Sequence, residues 1–368
     1  MKVVYDPQIF SFQEYGGISR YYCELFKQFS LMEGVEPSLL IKYSNSRYLP
    51  ELQGVNTRHF SPAYRFKGRN EIIKLLNRMH VRRNFRKLSH IDVFHPTYYD
   101  PYFLDLIGDI PFVLTIYDMS HELYPALFSK FDFTAENKKK VSAKAYRIIA
   151  ISEHTKKDII ALLNIPASKI DVIPLATTFS PAQRRDTDIS TPSNYFLYVG
   201  KRNTYKNFYF LLNAMKDIHQ ISPQVSLICA GGGKFTAQER KEITRLQLSD
   251  KIIQMDVHDT VLVSLYSKAQ AFVFPSLYEG FGIPILEAFA CGCPVLLSNR
   301  SSLPEVGGDA AGYFDPESVS DLSEKLDRII KDKDLTEDMR KKGLNRLKLF
   351  SWEHTAHLTL DTYKKAGA

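Results

Sequence analysis

Short apolar runs alternate with amphipathic stretches along this chain from its first residues. KVVYD (2–6) reads as a strand. A Gly-Gly turn follows, and apolar residues at helical spacing predict a helix over about 18–32. Further strands are expected at 35–41, 91–95, 111–117, 146–152 and 169–174, several followed by amphipathic segments such as HTKKDIIALLN (154–164). The runs are continuous and rich in β-branched residues, which marks strands covered on both faces and hence a parallel sheet. From 177 to 194 the pattern stops: TTFSPAQRRDTDISTPSN is polar, holds two prolines and has no period, as a linker would. The rhythm resumes at 195–200, 225–232, 250–255, 269–276 and 294–298, and a mostly helical tail covers 319–366. The expected organisation is two consecutive α/β domains, residues 1–180 and 195–349, with a linker at 181–194 and a final segment at 350–368. Doubly wound sheets bind ligands at the carboxyl ends of their strands, so two facing domains would share a cleft.

A length of 368 residues exceeds one ordinary core and suits two. The 44% hydrophobic and 24% charged content is that of a soluble globular protein. MKVVYDPQIF lacks a signal peptide's apolar core, and no apolar stretch approaches the roughly 18 residues that span a bilayer. A cytoplasmic location is the expectation. Cys23, Cys229, Cys291 and Cys293 include one close pair, with no histidine or second pair at metal spacing. Small buried side chains are expected there, with no disulfide frame and no metal.

The net charge of +7 matters more, because it is concentrated. Residues 65–90 hold nine Lys/Arg against Glu71 alone, +8 in all, which leaves −1 for the remainder. In that segment Ile72, Leu75, Leu76 and Met79 share a helical face, while Arg78, Arg82, Arg83 and Arg86 crowd elsewhere. Two readings are open: a helix lying on an anionic membrane surface, or a solvated helix packed on the first domain by its apolar face. Nucleic acid is not expected as a partner, since no recognised binding module is present.

Candidate chemistry gathers at predicted strand ends. YGGISRYYCELF (15–26) puts glycines, Gly17 among them, between a strand and a helix, where backbone N–H groups can meet an anion; a plain tight turn explains them equally well. VGKRNTYKNFYFLL (199–212) sets Lys201, Arg202 and Lys206 after a first strand, cations suited to a diphosphate. YEGFGIPILEAF (278–289) places Glu279 and Glu287 eight apart around Gly280 and Gly282. Pro284 suits a helix start, so Glu279 falls on a loop and Glu287 in the first helical turn, around N–H groups at the positive end of the helix dipole. Glu287 either satisfies that dipole or holds a ribose diol; Glu279 is placed to accept from sugar hydroxyls.

With TIYDMSHELYP (115–125), PSLYEGFGIPILEAFACGCPV (275–295), SNRSSLPEVGGDAAGYFDP (298–316) and FSWEHTAHLTLDTY (350–363), these stretches resemble the retaining glycosyltransferases of family 4 over almost the whole chain. The E-x7-E spacing is that family's signature. The resemblance implies a GT-B fold: α/β, two Rossmann-like doubly wound domains facing a central cleft, the first binding acceptor and the second nucleotide-sugar. A C-terminal helix would cross back to the first domain near Trp352. Glu287 would hold the donor's ribose. Glu279 would contact the transferred sugar, with the Gly280, Phe281, Gly282 and Ile283 backbone beside it. Lys201, Arg202 and Lys206 would meet the diphosphate, and Gly17 would close over it.

Where many relatives read Thr-x-His-Asp, this chain reads Thr115-Ile116-Tyr117-Asp118, and Tyr117 cannot do a histidine's acid–base work near neutral pH. The catalytic candidates are therefore Glu279, Asp118, His121, Arg202 and Lys206, with His121 equally readable as a loop histidine. No Asp-x-Asp metal site is evident, so the protein's own cations would replace Mg²⁺, and no cofactor is expected beyond the nucleotide-sugar co-substrate. GDP-mannose is the first donor to test, and a saccharide or lipid-linked saccharide of bacterial surface polysaccharide (O-antigen, capsule) the expected acceptor. The alternatives are a catalytically weak nucleotide-sugar-binding subunit and a nucleotide-sugar epimerase on the same scaffold.

Overall fold

A computed structural model describes residues 1–60, 66, 68–183, 189–202 and 204–367. Arg65 and Lys67 of the basic segment and residues 184–188 of the expected linker lie outside them. The chain forms two compact units, one made of Met1–Leu175 and Ser351–Ala368, the other of Ala176–Phe350. The passage between them falls earlier than residue 180, because Phe179 is already buried in the second unit, its ring 6.5 Å from that of Tyr266.

In the first unit β1 (Lys2–Tyr5), β2 (Glu36–Leu39), β3 (Val93–His95), β4 (Val113–Ile116), β5 (Arg147–Ala150) and β6 (Ile170–Val172) are the apolar runs of the sequence. All their pairings are parallel, in the orders β2-β1-β3 and β4-β5-β6. A bridge from Phe94 to Phe112 joins the two sets edge to edge. The resulting order, 2-1-3-4-5-6, reverses direction between β1 and β3, and such a switch point opens a crevice at the strands' carboxyl ends. Helix Gly17–Leu31 covers the sheet with Tyr21, Tyr22, Leu25 and Phe29, at the spacing of one helical face. Helix Trp352–Gly367 returns to this same unit: Tyr363 is fully buried against Phe29, and its hydroxyl lies 3.0 Å from that of Tyr5 and 2.5 Å from His95 Nδ1.

The second unit carries β7 (Tyr195–Val199), β8 (Ser226–Ala230), β9 (Ile252–Met255), β10 (Ala271–Phe274), β11 (Val295–Ser298) and β12 (Gly312–Phe314). Their order β12-β11-β10-β7-β8-β9, again parallel, is that of a dinucleotide-binding sheet, with its switch point between β7 and β10. β12 has only three residues and no apolar run to announce it. A single core of Phe196, Leu211, Met215, Leu227, Val273 and Leu326, among others, lies under the helices of this unit.

The basic segment forms helix Arg69–Phe85, but its inward face differs from the expected one. Ile73, Val81 and Phe85 are buried on a row that includes Asn77. The Asn77 side chain accepts from the N–H of Lys42 (3.2 Å) and Tyr43 (2.9 Å) and donates to Ser11 Oγ (2.9 Å) and the Tyr43 carbonyl (2.8 Å), so its burial is compensated. Ile72, Leu75 and Met79 instead face outward, at 42%, 58% and 60% exposure. Exposed Arg82, Arg83 and Arg86 continue that outward side rather than standing apart from it. Arg78 leaves the group: it pairs with Asp100 and lies over the Tyr102 ring at 5.3 Å. Among the described residues no helix is long and apolar enough to cross a membrane.

Candidate active site

The loops that follow β7 and β10 meet at the second unit's switch point. Leu277 N donates to the Tyr205 carbonyl at 2.8 Å, which ties the two loops together. Lys206 Nζ then reaches Glu279 Oε1 at 2.5 Å, with both side chains largely shielded and the ammonium 5.6 Å from the Phe274 ring centre. Neighbouring serines hold the glutamate's loop. Ser301 Oγ accepts from Glu279 N (2.9 Å), and Ser302 Oγ donates to the carbonyls of Glu279 (2.8 Å) and Phe281 (3.1 Å). Ser301 and Ser302 were not singled out from the sequence, although SNRSSLPEV was visible as a motif.

Helix Ile283–Ala290 starts one residue before Pro284, with Gly282 as its N-cap at φ 105°. A Cβ there would lie 2.9 Å from Ile285 Cδ1, so glycine is required both by conformation and by space. The early start moves Glu287 past the first helical turn, and its expected place at the dipole end is corrected accordingly. Glu287 is 8% exposed and accepts from Tyr266 Oη at 3.3 Å. Among the described residues the backbone N–H groups of Phe281, Gly282 and Ile283 take no acceptor, and they follow Glu279 in the chain at the positive end of this helix. N–H groups at a helix start can receive an anion.

Arg202 does not join this cluster. Its side chain is only 3% exposed; Nε donates to Glu239 Oε1 at 2.8 Å, and the guanidinium also donates to the carbonyls of Gly231 (3.1 Å) and Gly233 (2.8 Å). Glu239 is held below the usual carboxylate range: burial works against its charge, but the donors on Arg202 and Thr236 outweigh it. Arg202 thus shapes the Gly231–Gly233 loop after β8 instead of presenting a free fork to a diphosphate. Gly232 sits at φ 70°, and a Cβ on it would lie 2.6 Å from the Gly200 carbonyl and 2.7 Å from Arg202 Nη1. Lys201 is exposed, and its carbonyl accepts from Tyr198 Oη at 2.6 Å.

The other sequence candidates belong to the first unit. Gly17 is the exposed first residue of its helix, where Gln13 Oε1 accepts from Ser19 N at 2.8 Å. Asp118 Oδ1 accepts from Ser120 N (2.9 Å) and Oγ (2.6 Å), which staples its own loop. Tyr117 is buried among Tyr21, Tyr22 and Tyr99, and burial pushes its hydroxyl pKa well up, so it holds no proton it could exchange near neutrality. His121 stacks on Phe128 with ring centres 3.8 Å apart and lies 3.6 Å from Asp132. Burial, then the Lys138 ammonium, lowers its pKa, so the ring is neutral at pH 7. Among the described residues no three His, Cys, Asp or Glu side chains form a metal-binding cluster.

Two parallel doubly wound sheets, with a cation–carboxylate pair and a helix start at the second one's switch point, define an α/β protein of the dinucleotide-binding type of fold. Comparison with known proteins narrows this. Residues 15–177 match Glycosyltransferase Family 4 and residues 179–346 match Glycosyl transferases group 1. The chain is 29% identical to O-antigen chain mannosyltransferase B of Escherichia coli, over 95% of this chain and 96% of that one. Its fold superposes on sucrose-phosphate synthase from Thermosynechococcus elongatus with a TM-score of 0.76 at 18% identity, covering 99% and 98% of the two chains. HepE from Anabaena, solved with UDP and glucose, gives 0.73 at 17% identity over 99% of both chains. The chain belongs to the family 4 glycosyltransferases, with the GT-B fold and a mannosyltransferase-like sequence.

Proposed function

We propose that this glycosyltransferase moves a mannosyl group from GDP-mannose to a saccharide or lipid-linked saccharide acceptor in O-antigen or capsule synthesis, with retention and without a metal ion. The observation that carries the reading is the Lys206–Glu279 pair, 2.5 Å apart beside the start of helix Ile283–Ala290. The mannosyl and O-antigen parts lean on the relative from Escherichia coli, which matches nearly end to end.

Breaking the sugar–phosphate bond leaves positive character on the ring and negative charge on the departing diphosphate. Lys206 and the N–H groups of Phe281, Gly282 and Ile283 would meet that growing negative charge from fixed positions, the most productive kind of catalytic contact. Glu279 would orient Lys206 and accept from the sugar's hydroxyls, while buried Glu287 would accept from the ribose. The acceptor hydroxyl would attack from the face the diphosphate leaves. The outward side of helix Arg69–Phe85, apolar at one end and cationic at the other, would rest the protein on an anionic membrane surface where a lipid-linked acceptor resides.

Thermal shift with GDP-, UDP-, dTDP- and ADP-sugars tests the donor: at a hundred times its Kd, GDP-mannose should add about 2.7 kcal/mol of stability. Stabilisation by a UDP-sugar alone would overturn the donor assignment. Labelled GDP-mannose should yield an α-linked product at equal rates with and without EDTA, with the anomeric configuration read by NMR. A rate that collapses in chelator would remove the metal-independent reading.

A further inference from the structure

Helix Thr134–Lys144 carries a lysine on its buried face, where an apolar side chain would be ordinary. Lys138 shares that face with Val141 and Ser142 and is 1% exposed. Its ammonium donates to the Asp118 carbonyl at 2.8 Å and to Glu122 Oε2 at 2.9 Å, and it stands over the Tyr99 ring, 5.2 Å from the centre. Met119 Sδ lies 4.0 Å away. A buried ion pair of this sort seldom adds stability, since apolar side chains of similar volume serve a fold as well or better. What the lysine supplies is position.

Its partners, Tyr99 apart, lie on one short stretch, residues 118–122, which follows β4 at the carboxyl end of that strand. Tyr99 secures the residue just before, its hydroxyl accepting from Tyr117 N at 3.2 Å. Asp118 is half-buried; Ser120 occupies its Oδ1, and Oδ2 has no partner among the described residues. One ammonium thus fixes the main chain on which the Asp118 carboxylate and the His121 ring are mounted.

We infer that Lys138 is a positioning residue of the transferase, holding the segment Asp118–Glu122 so that Asp118 Oδ2 keeps its place while the sugar is transferred. The role in transfer rests on the glycosyltransferase reading above; the hold on the segment rests on the bonds alone. The same charge acts on His121. Burial, then Lys138, lowers the pKa of that ring against the pull of Asp118, Asp132 and Glu122, with Phe128 stacked on its face at 3.8 Å.

The double variant Lys138→Met/Glu122→Leu removes the pair without stranding a charge, so its melting temperature should match that of wild type. Its kcat with labelled GDP-mannose should fall about ten- to a hundredfold, the cost of a small misplacement near the chemistry. Donor KM should stay as it was, because Lys206 and Glu279 belong to the other unit. Asp118→Asn keeps the side chain's shape and should lower kcat alone in the same way. Added to the pair change it should cost much less than in wild type, the mark of two changes acting through one group. In ¹⁵N NMR, His121 should titrate at higher pH in the double variant, since Lys138 outweighs Glu122 in its surroundings. Wild-type kcat in the double variant or in Asp118→Asn, additive losses, or an unchanged His121 titration each overturns the inference. A double variant that fails to fold overturns it too, for the pair would then serve stability. A wild type that turns over no donor defeats the glycosyltransferase reading instead, while the titration, which needs no substrate, still decides whether Lys138 governs this segment.

Discussion

Lys206 and Arg202 lie four residues apart on one loop, and their surroundings give them different work. Lys206 meets Glu279 at the switch point, whereas Arg202 is locked to Glu239 and glycine carbonyls. Lys206→Ala should therefore lower kcat by about a hundredfold or more, as loss of one preorganised donor does, in a steady-state assay with labelled donor. Arg202→Ala strands a buried carboxylate and should cost about 3–5 kcal/mol, visible as a fall in melting temperature. An unchanged melt with depressed turnover would return Arg202 to the ligand. His95 sets a third expectation. It is buried between Tyr363, Thr115 (2.9 Å) and Tyr22 (3.3 Å), and burial lowers its pKa to about 3. The unfolded chain takes a proton near the ordinary value of 6.5 while the folded one refuses it, so stability is full above 6.5 and falls as pH drops toward 3. The loss is about 1.4 kcal/mol per pH unit within that window. Asp6, raised by burial, pulls the other way at the acid end, so the measurement is a difference: urea unfolding of His95→Gln should be flatter between pH 6.5 and 5 than that of wild type.

At the level of elements, strands were readable wherever a buried run was continuous, as in Tyr195–Val199 or Arg147–Ala150, because a parallel sheet shows both faces to apolar cover. β12 escaped because Gly312-Tyr313-Phe314 follows a glycine- and alanine-rich stretch and holds no β-branched residue, whereas the equally short β3 and β6 lie in the apolar runs IDVFH and KIDVIP. Helix Arg69–Phe85 was found but turned the wrong way: Asn77 in its buried row hid the true inward face, and its compensating bonds come from residues more than thirty positions away. The pairing of Lys206 with Glu279 was legible as two motifs that belonged together, while Arg202's attachment to Glu239 was not, since nothing local marks a glutamate 37 residues downstream. The outward side of the basic helix carries its own test. Arg82, Arg83 and Arg86 changed together to Gln should weaken flotation on anionic vesicles by about 1 kcal/mol per cation and leave the melting temperature where it was. Equal flotation on neutral and anionic vesicles would remove the membrane reading.

On the scale of the whole chain, the first unit is discontinuous: residues 1–175 are completed by 351–368. The returning helix buries Trp352 and Tyr363, and Thr355 Oγ1 donates to the Pro174 carbonyl at 2.8 Å. Its charges are fixed as well, Lys365 reaching Asp171 at 2.9 Å beside Arg147 at 2.8 Å. Ending the chain at residue 350 removes two large aromatic side chains, each worth about 3–5 kcal/mol, from a domain whose total margin is about 5–15 kcal/mol. Circular dichroism in urea should show one cohort of helices and strands already melted in that truncated chain, while GDP-mannose still raises the melting point of the rest. The same arrangement bears on how a ribosome delivers the protein. The opening 175 residues emerge first yet lack their closing helix until the other 175 have followed, a wait of roughly 10 to 35 s at about 5–20 residues per second. The later-made unit can finish in the interval, so the nascent polypeptide matures out of order, with the aromatic-rich first unit open to chaperones until helix Trp352–Gly367 has been made.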